Sequence, residues 1–136
     1  MKNIDNLTIV IVTYKTSENI IFNCLKSIDR SVKVLIIENS DKFIHEKKIL
    51  SNFSNVEVYC TGDNLGYGKG NNFGLKLVKT DFVLILNPDV ICEKDFFSKI
   101  TDVITRVENF TIIGCQYLND KIYMPAGFFN KKENLK

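Results

Sequence analysis

Short runs of β-branched and other apolar residues alternate along this chain with segments whose apolar residues recur at helical spacing, and this alternation restricts the fold most. The run "LTIVIV" at residues 7 to 12 is typical of a strand buried on both faces. Ile20, Ile21, Cys24, Leu25 and Ile28 then recur with the period of a helix. Further strands are predicted at residues 32 to 37, 56 to 60, 82 to 86 and 110 to 115, and further helices at about 44 to 52, 70 to 79 and 94 to 107.

This order of elements predicts an α/β fold with a mostly parallel sheet flanked by helices, because parallel neighbours need crossover connections. The run "FVLIL" at residues 82 to 86 is apolar throughout and is predicted to be a central strand. The chain has 136 residues, of which 45% are hydrophobic, and it contains no linker, internal repeat or low-complexity stretch. We therefore expect a single domain over residues 1 to 136, with a basic tail at residues 130 to 136.

Charge and hydropathy argue against several classes of protein. The formal net charge is +2 and the basic residues are scattered, so no nucleic-acid partner is expected. The apolar runs are far shorter than the ~20 residues of a transmembrane helix, and the N-terminus does not resemble a signal peptide. These features predict a cytoplasmic protein. Its four cysteines are widely spaced without a C-x-x-C pair, so we expect core thiols in preference to metal ligands or disulfides.

Polar stretches follow four of the predicted strands. They are "TYK" at residues 13 to 15, "ENSD" at 38 to 41, "GDNLGYGKGNN" at 62 to 72 and "NPD" at 87 to 89. Each alone has a simpler explanation as a turn. In open α/β sheets, however, ligands bind at the carboxyl ends of the strands, so the recurrence of polar stretches there predicts a ligand site.

The stretch "NLGYGKGNNFG" at residues 64 to 74 contains four of the chain's seven glycines. It is not in register with G-x-G-x-x-G, and it is no Walker A loop, since Gly70 stands where Ser or Thr is required. Glycines let the backbone approach a ligand closely, the following helix offers its N–H groups to an anion, and Lys69 adds positive charge. These properties predict an anion site, with a glycine-rich turn and a solvated lysine as the alternative.

The stretch "LILNPDV" places a carboxylate directly after a strand. Pro88 fixes the backbone beside Asp89, and Asn87 can contribute an oxygen or a bound water. Mg²⁺ and related ions are commonly held by one or two carboxylates together with substrate phosphate oxygens. Asp89 is therefore a candidate ligand for Mg²⁺ or Mn²⁺, and an ordinary turn is the alternative.

The segments "LTIVIVTYK", "VLIIENS", "NLGYGKGNNFGL" and "DFVLILNPDV" together resemble the family 2 glycosyltransferases with the GT-A fold. They are most similar to the branch that builds bacterial polysaccharides and O-antigens, including rhamnosyltransferases. The resemblance runs from about Leu7 to Phe128 and implies the N-terminal, donor-binding portion of such an enzyme, truncated before the acceptor half.

The resemblance also implies roles for individual residues. Thr13 and Tyr14 would contact the nucleoside, Glu38 would accept the imide N–H of the base, and Asn87 and Asp89 would take the place of the D-x-D metal motif. The implied nucleotide-sugar-binding residues are Thr13, Tyr14, Glu38, Asn64, Gly66, Lys69, Gly70, Asn71, Asn72 and Asn87, with Asp89 as the metal ligand.

Three features depart from the family's pattern. Lys15 stands where the family usually has Asn, and Glu38 stands where it usually has Asp and reaches one methylene further. Family members are usually much longer, and their later half carries an acidic catalytic base, commonly in an E-D pair that is missing here. The catalytic base is therefore unknown. Glu93 and Asp95 are better explained as acidic residues at a helix start, and His45 is predicted to lie exposed on a short helix.

The resemblance implies an inverting, metal-dependent transfer of a sugar from a UDP- or dTDP-linked donor to a polysaccharide or lipid-linked acceptor, with Mn²⁺ or Mg²⁺. The protein would be cytoplasmic or peripheral at the inner face of the membrane, and a second chain carrying the acceptor half is a candidate partner. The alternative is a non-catalytic nucleotide-sugar-binding module or a truncated remnant. A sugar-1-phosphate nucleotidyltransferase is disfavoured, because "TYKTSENI" after the first strand contains no glycine.

Overall fold

The computed structural model describes residues 4–107, 112–114, 118–119, 122–123 and 127–129. The chain divides into two compact units, Met1–Thr101 and Asp102–Lys136. The expectation of one domain over residues 1 to 136 stays a prediction, and the basic tail at 130 to 136 lies outside the described residues.

The first unit contains four strands and the helices between them. The strands are β1 (Leu7–Thr13), β2 (Lys33–Glu38), β3 (Val56–Cys60) and β4 (Phe82–Leu86). The helices are α1 (Glu18–Ser27), α2 (Glu46–Asn52), α3 (Tyr67–Leu77) and α4 (Phe96–Arg106), and a 3₁₀ turn at Ile4–Asn6 precedes β1. The last residues of α4 belong to the second unit.

The second unit contains two short antiparallel pairs. β5 (Ile112–Gly114) pairs with β8 (Gly127–Phe129), and β6 (Leu118–Asn119) pairs with β7 (Ile122–Tyr123). The strand predicted at residues 110 to 115 is therefore described only over its central part.

The four strands of the first unit form a parallel sheet in the order β3-β2-β1-β4, as the alternation of elements predicts. All seven residues of β1 are buried, in agreement with its apolar sequence. β4 lies at one edge of this sheet, so its predicted central position was wrong for the sheet that the structure describes. Val83 and Ile85 of β4 are 38% and 45% exposed on one face of the sheet.

Both faces of the central strands are covered. Val10, Val12, Leu35 and Ile37 form one core with partly buried side chains, among them Phe73 of α3. Because side chains alternate along a strand, the neighbouring residues point to the opposite face. These include Ile9, Ile11 and Ile36, which have no exposed surface. The sheet is therefore the middle layer of a covered α/β arrangement.

Helix α3 packs unusually close to the sheet through two glycines. A Cβ atom on Gly74 would lie 2.5 Å from Cγ1 of Val10 and 3.0 Å from Cγ1 of Ile37. One on Gly70 would lie 2.9 Å from Cγ1 of Val12. The helix begins at Tyr67, three residues before the predicted start at Gly70, because tertiary packing outweighs the low helix propensity of glycine.

The cysteines are only partly core thiols. Cys24 is buried, and burial raises the pKa of its thiol to about 12, which keeps it protonated and unreactive. Cys92 is half-buried, whereas Cys60 is exposed, so the prediction of a core thiol fails at Cys60. Cys115 lies outside the described residues.

Across the described part of the chain, no helix has the length and apolar character needed to span a membrane.

Candidate functional site

The carboxyl ends of the strands bring the predicted polar stretches together at one edge of the sheet. The N–H of Asn39 donates to the carbonyl oxygen of Thr13 at 2.8 Å, which joins the first stretch to the second. The N–H of Gly62 donates to the carbonyl oxygen of Ser40 at 3.1 Å and joins the second stretch to the third. The end of β2 therefore lies at the centre of the crevice.

The third and fourth stretches are joined by one side-chain hydrogen bond. The hydroxyl of Tyr67, the first residue of α3, donates to Oδ1 of Asn87 at 2.7 Å. Asn87 directly follows β4, and its carbonyl oxygen accepts a hydrogen bond from the N–H of Val90. This contact fixes the N-terminus of α3 relative to the loop that carries Asp89.

Glu38 is a buried carboxylate, with 1% of its surface exposed. Oε2 accepts a hydrogen bond from the hydroxyl of Thr13 at 2.6 Å. Oε1 accepts from the hydroxyl of Ser40 at 2.6 Å and from the backbone N–H of Lys15 at 3.2 Å. Three donors therefore compensate the burial of the charge.

Lys15 has a φ of 51°, and it is the only residue other than glycine with positive φ in the described part of the chain. Left-handed backbone conformations are unfavourable for most side chains, but asparagine tolerates them well. Lysine at this position is therefore held in a conformation that asparagine would adopt at lower cost. The Lys15 ammonium lies 5.2 Å from the ring centroid of Tyr14, within the range of a cation–π contact.

Replacing Lys15 with asparagine is expected to stabilise the protein by roughly 0.5–1 kcal/mol, because it relieves part of the left-handed backbone cost. Chemical denaturation followed by circular dichroism measures this difference. The matched control is Lys42→Asn, since Lys42 is also an exposed lysine near this loop but has no positive φ. Equal stability of both variants and the wild type would contradict a strained backbone at Lys15.

A cleft of about 570 Å³ opens between the loop after β1 and the loop after β2. Its walls include residues 15 to 17 from the first loop, and Glu38 together with residues 40 to 45 from the second. This volume is within the usual range for small-ligand sites, roughly 300–1,000 Å³. A smaller cleft of about 250 Å³ lies around Ser31 and Lys33 near the amino ends of the strands, where no predicted site residue lies.

His45 belongs to this larger cleft, so the prediction of an exposed histidine was wrong. Its side chain is only 17% exposed, and its Nδ1 lies 3.5 Å from a carboxylate oxygen of Glu18 on α1. Its ring also meets the ring of Phe43 edge to face. Sequence analysis found the start of this wall in "ENSD" but missed Lys42 to His45, because no periodic signal marks a loop that folds back over a cleft.

The glycine-rich loop contains two positions that need glycine for conformational reasons. Gly62 and Gly66 have φ values of 86° and 78°, and Gly66 is the residue directly before α3. The side chain of Asn39 holds this loop, since its Nδ2 donates to the carbonyl oxygen of Gly66 at 3.0 Å. Asn64 contributes within the loop, where its Oδ1 accepts from the N–H of Gly66.

The N-terminus of α3 has the properties of an anion site. Gly66, the residue directly before the helix, has no side chain that could cap it by a hydrogen bond. The first turn contains no acidic residue. Its positive dipole end is therefore available to an anion. Gly68 and Lys69 are exposed in this turn, and a Cβ on Gly68 would meet open space.

The predicted residues of α3 divide into two groups. Lys69 and Asn72 are exposed, whereas Gly70 and Asn71 are buried. At Gly70 the group that approaches the backbone closely is the sheet, because a Cβ atom on Gly70 would lie 2.9 Å from Cγ1 of Val12. Asn71 is 5% exposed, and its Oδ1 has no hydrogen-bond partner in the structure although its Nδ2 donates to the carbonyl oxygen of Tyr67.

Asp89 is exposed in the turn that follows β4. Among the residues that the structure describes, no three His, Cys, Asp or Glu side chains are grouped so that they could hold a metal ion. A single exposed carboxylate fits an ion whose other ligands come from a substrate diphosphate and water, but not a preformed all-protein site.

The two other carboxylates considered from the sequence have structural partners. Asp95 forms an i,i+4 ion pair with Lys99, and the hydrogen bond from Lys99 lowers the pKa of Asp95. The carbonyl oxygen of Glu93 accepts a hydrogen bond from the N–H of Phe96, the first residue of α4. Both residues lie just before α4, in agreement with the helix-start interpretation.

Comparison with known proteins identifies relatives along most of the chain. The sequence profile of the family "Glycosyl transferase family 2" matches residues 8–125. The low-salt glycan biosynthesis hexosyltransferase Agl10 of Haloferax volcanii is 29% identical over 120 residues, which are 85% of this chain and 38% of that protein. The teichoic acid poly(glycerol phosphate) polymerase of Staphylococcus epidermidis is 25% identical over 146 residues, covering 96% of this chain and 20% of that protein. The chain therefore spans well under half the length of these relatives.

Solved structures share the fold. S. aureus TarS 1–349 has a TM-score of 0.62 at 23% identity, covering 73% of this chain and 32% of its own. The same region was solved in complex with UDP, with a TM-score of 0.62 at 21% identity. The mannosyltransferase PcManGT from Pyrobaculum calidifontis, in complex with GDP-Man and Mn²⁺, also gives 0.62 at 12% identity, over 77% of this chain and 33% of its own. These matches confirm the predicted GT-A fold.

Proposed function

The chain belongs to glycosyl transferase family 2, and from this we propose that it binds a nucleotide-diphosphate sugar and takes part in transferring the sugar to a saccharide or lipid-linked acceptor. The observation that carries the proposal is the arrangement at the carboxyl edge of the sheet. A cleft of nucleoside size, a helix N-terminus suited to an anion and an exposed carboxylate lie on neighbouring strand ends.

In this proposal the donor lies along the edge of the sheet. The nucleoside occupies the cleft beside Thr13, Tyr14 and Glu38, and the diphosphate lies near the N-terminus of α3. Lys69 reaches the phosphates, and Asn72 is the exposed amide of the same helix. Asn64, Gly66, Gly70 and Asn71 act by shaping this part of the crevice, which their hydrogen bonds and packing support.

We assign Asp89 to a divalent cation, Mn²⁺ or Mg²⁺, whose remaining ligands are diphosphate oxygens and water. When bound, such an ion neutralises the negative charge that develops on the departing diphosphate. Asn87 is tied to Tyr67, so the chain itself holds the cation loop at a fixed distance from the anion end of α3.

The reaction we propose is an inverting transfer, in which an acceptor hydroxyl attacks the anomeric carbon while a base takes its proton. Asp95 is engaged with Lys99 and therefore is a poor candidate for that base. The acceptor class follows the relatives, whose names concern glycan biosynthesis and teichoic acid. The proposal also includes O-antigen synthesis, a rhamnose-type donor and a location at the inner face of the membrane. It further includes a second chain that supplies the acceptor half.

A non-catalytic nucleotide-sugar-binding module is the second candidate. It is favoured by the ion pair between Asp95 and Lys99, since this pair engages one of the two carboxylates considered for the catalytic base. Both candidates need the same donor site, and they differ only in whether this chain turns over the donor.

Metal-dependent nucleotide binding tests the shared part of the two candidates. Titration calorimetry with UDP, dTDP and GDP is expected to give a Kd between micromolar and millimolar with Mn²⁺, roughly −8 to −4 kcal/mol, for at least one nucleotide. Asp89→Asn is expected to weaken binding about tenfold or more and to remove its dependence on the metal.

The matched control is Asp81→Asn, which changes the net charge equally at the opposite end of β4. This variant is expected to bind like the wild type. If a chelator left the affinity of the wild type unchanged, Asp89 would be excluded as a metal ligand. If none of the nucleotides bound, the proposed donor site would be excluded.

A further inference from the structure

Glu38 is positioned to shape the nucleoside cleft through the backbone of the neighbouring loop. We propose that Glu38 is a positioning residue, whose carboxylate holds Lys15 in its left-handed conformation and thereby fixes the wall of the cleft formed by residues 15 to 17. This inference rests on the proposed nucleotide site and adds to it a contribution of Glu38 that is made through the backbone of Lys15.

The carboxylate of Glu38 is largely occupied by the protein itself. A carboxylate accepts about four hydrogen bonds, and three donors already reach this one, from Thr13, Ser40 and Lys15. Glu38 lines the cleft with 1% of its surface exposed, so most of its capacity to accept hydrogen bonds is used by the protein. The arrangement is that of a structural anion beneath a loop.

The left-handed backbone of Lys15 is the feature that this carboxylate can stabilise. Non-glycine residues in left-handed conformations persist when the surrounding structure over-determines them. The N–H of Lys15 donates to Oε1 of Glu38, and a charged acceptor makes this bond stronger than a neutral one. The preceding turn is fixed as well, since the carbonyl of Thr13 accepts from Asn39 and its hydroxyl donates to Glu38.

Release of Lys15 would change the cleft directly. Lys15, Thr16 and Ser17 line one wall, and Ser17 is the residue directly before α1. If Lys15 returned to negative φ, the positions of these residues relative to the wall formed by residues 40 to 45 would change. A base-reading role and a positioning role therefore predict different behaviour when glycine, which adopts positive φ freely, replaces Lys15.

A double-mutant cycle separates the two roles. Glu38→Met removes the acceptors while keeping a similar side-chain length, and it is expected to weaken UDP binding about tenfold. Lys15→Gly alone supplies the reference affinity of the cycle, since it removes the Lys15 side chain from the wall of the cleft. The double variant is expected to recover most of the loss, to within about threefold of Lys15→Gly, because glycine keeps the turn without the carboxylate. A double variant as weak as Glu38→Met would overturn the inference and return Glu38 to direct contact with the base.

A second measurement tests the positioning role of Glu38 without any ligand. In the nucleotide-free protein, the amide hydrogen of Lys15 is expected to exchange slowly by NMR, and Glu38→Met is expected to accelerate its exchange about tenfold or more. If Glu38→Met does not fold, Glu38→Gln replaces it: a neutral acceptor weakens the bond, so exchange is expected to rise severalfold. Unchanged exchange in the variant would overturn the inference. If the wild type failed to bind nucleotide, the proposed function would be overturned. Hydrogen exchange would then be the measurement that tests the positioning role of Glu38.

Discussion

Replacing Gly74 with valine is expected to destabilise the fold by several kcal/mol, enough to leave a large fraction of the protein unfolded at 37 °C. Even a single added Cβ would lie 2.5 Å from Cγ1 of Val10 and 3.0 Å from Cγ1 of Ile37, inside van der Waals contact with both. Val10 and Ile37 are fully buried side chains of central strands, so neither can move away cheaply. Helix α3 would have to separate from the sheet.

The matched control for Gly74→Val is Gly68→Ala in the same helix. A Cβ at Gly68 meets no atom within 4 Å, and its backbone has no positive φ. Alanine at this position is expected to stabilise the protein by roughly 0.5–1 kcal/mol, since glycine is a poorer helix former. Thermal unfolding by circular dichroism measures both variants. A folded Gly74→Val protein with wild-type stability would show that α3 does not pack as closely as described.

The same packing changes the expectation for Gly70. Valine at this position would meet Val12 and Asn39, so a loss of nucleotide binding in Gly70→Val would not by itself show that the backbone touches the donor. Gly68→Ala is the cleaner probe of close approach by a ligand, because any loss of binding there cannot be attributed to the sheet.

The 136-residue chain, given a UDP- or dTDP-linked sugar and Mn²⁺, is expected to release the nucleotide slowly by hydrolysis and to show little stimulation by acceptor. A positioned general base contributes typically 10²–10⁴-fold, and orientation of two reactants roughly 7–11 kcal/mol. Among the described residues no catalytic base is assigned, since Asp95 is paired with Lys99. Water needs no acceptor site, so hydrolysis is the activity expected to persist.

Asp89→Ala is expected to lower this hydrolysis about 100-fold, because stabilisation of the departing diphosphate is the main contribution that remains. Nucleotide release over hours, measured with and without lipid-linked acceptors, is the assay, and Asp81→Ala is the control. Rapid acceptor-dependent turnover by the purified chain would contradict the expectation and make Glu93 and Asp95 the first carboxylates to replace. Complete absence of release would favour the non-catalytic module.

The parallel sheet and the place of the crevice were predictable from sequence because both depend on local pattern. The uninterrupted run in β1 requires burial on both faces, and the polar residues after each strand must meet at one edge once the strands are parallel. "NPD" after β4 and the loop before α3 were therefore placed correctly at that edge without any knowledge of distances.

The features that sequence analysis missed depend on distances between elements. Whether Gly70 faces a ligand or the sheet is decided by how closely α3 approaches Val12, which no local pattern encodes. The burial of Glu38 depends on donors from two segments, Thr13 and Lys15 after the first strand and Ser40 after the second, and the inward position of His45 depends on Glu18 in a different helix. The edge position of β4 was missed for the same reason, since an apolar run does not reveal how many neighbours its strand has.

The hydrogen bond between Tyr67 and Asn87 also makes the site observable by optical spectroscopy. The chain contains no tryptophan and five tyrosines, so its intrinsic ultraviolet emission comes from tyrosine alone. Tyr67 and Tyr14 are both at the crevice, and both are about half exposed. A ligand that displaces the phenol of Tyr67 from its amide acceptor, or stacks on Tyr14, would change that emission without any added fluorophore, and Tyr67→Phe identifies the part of the signal that comes from the helix terminus.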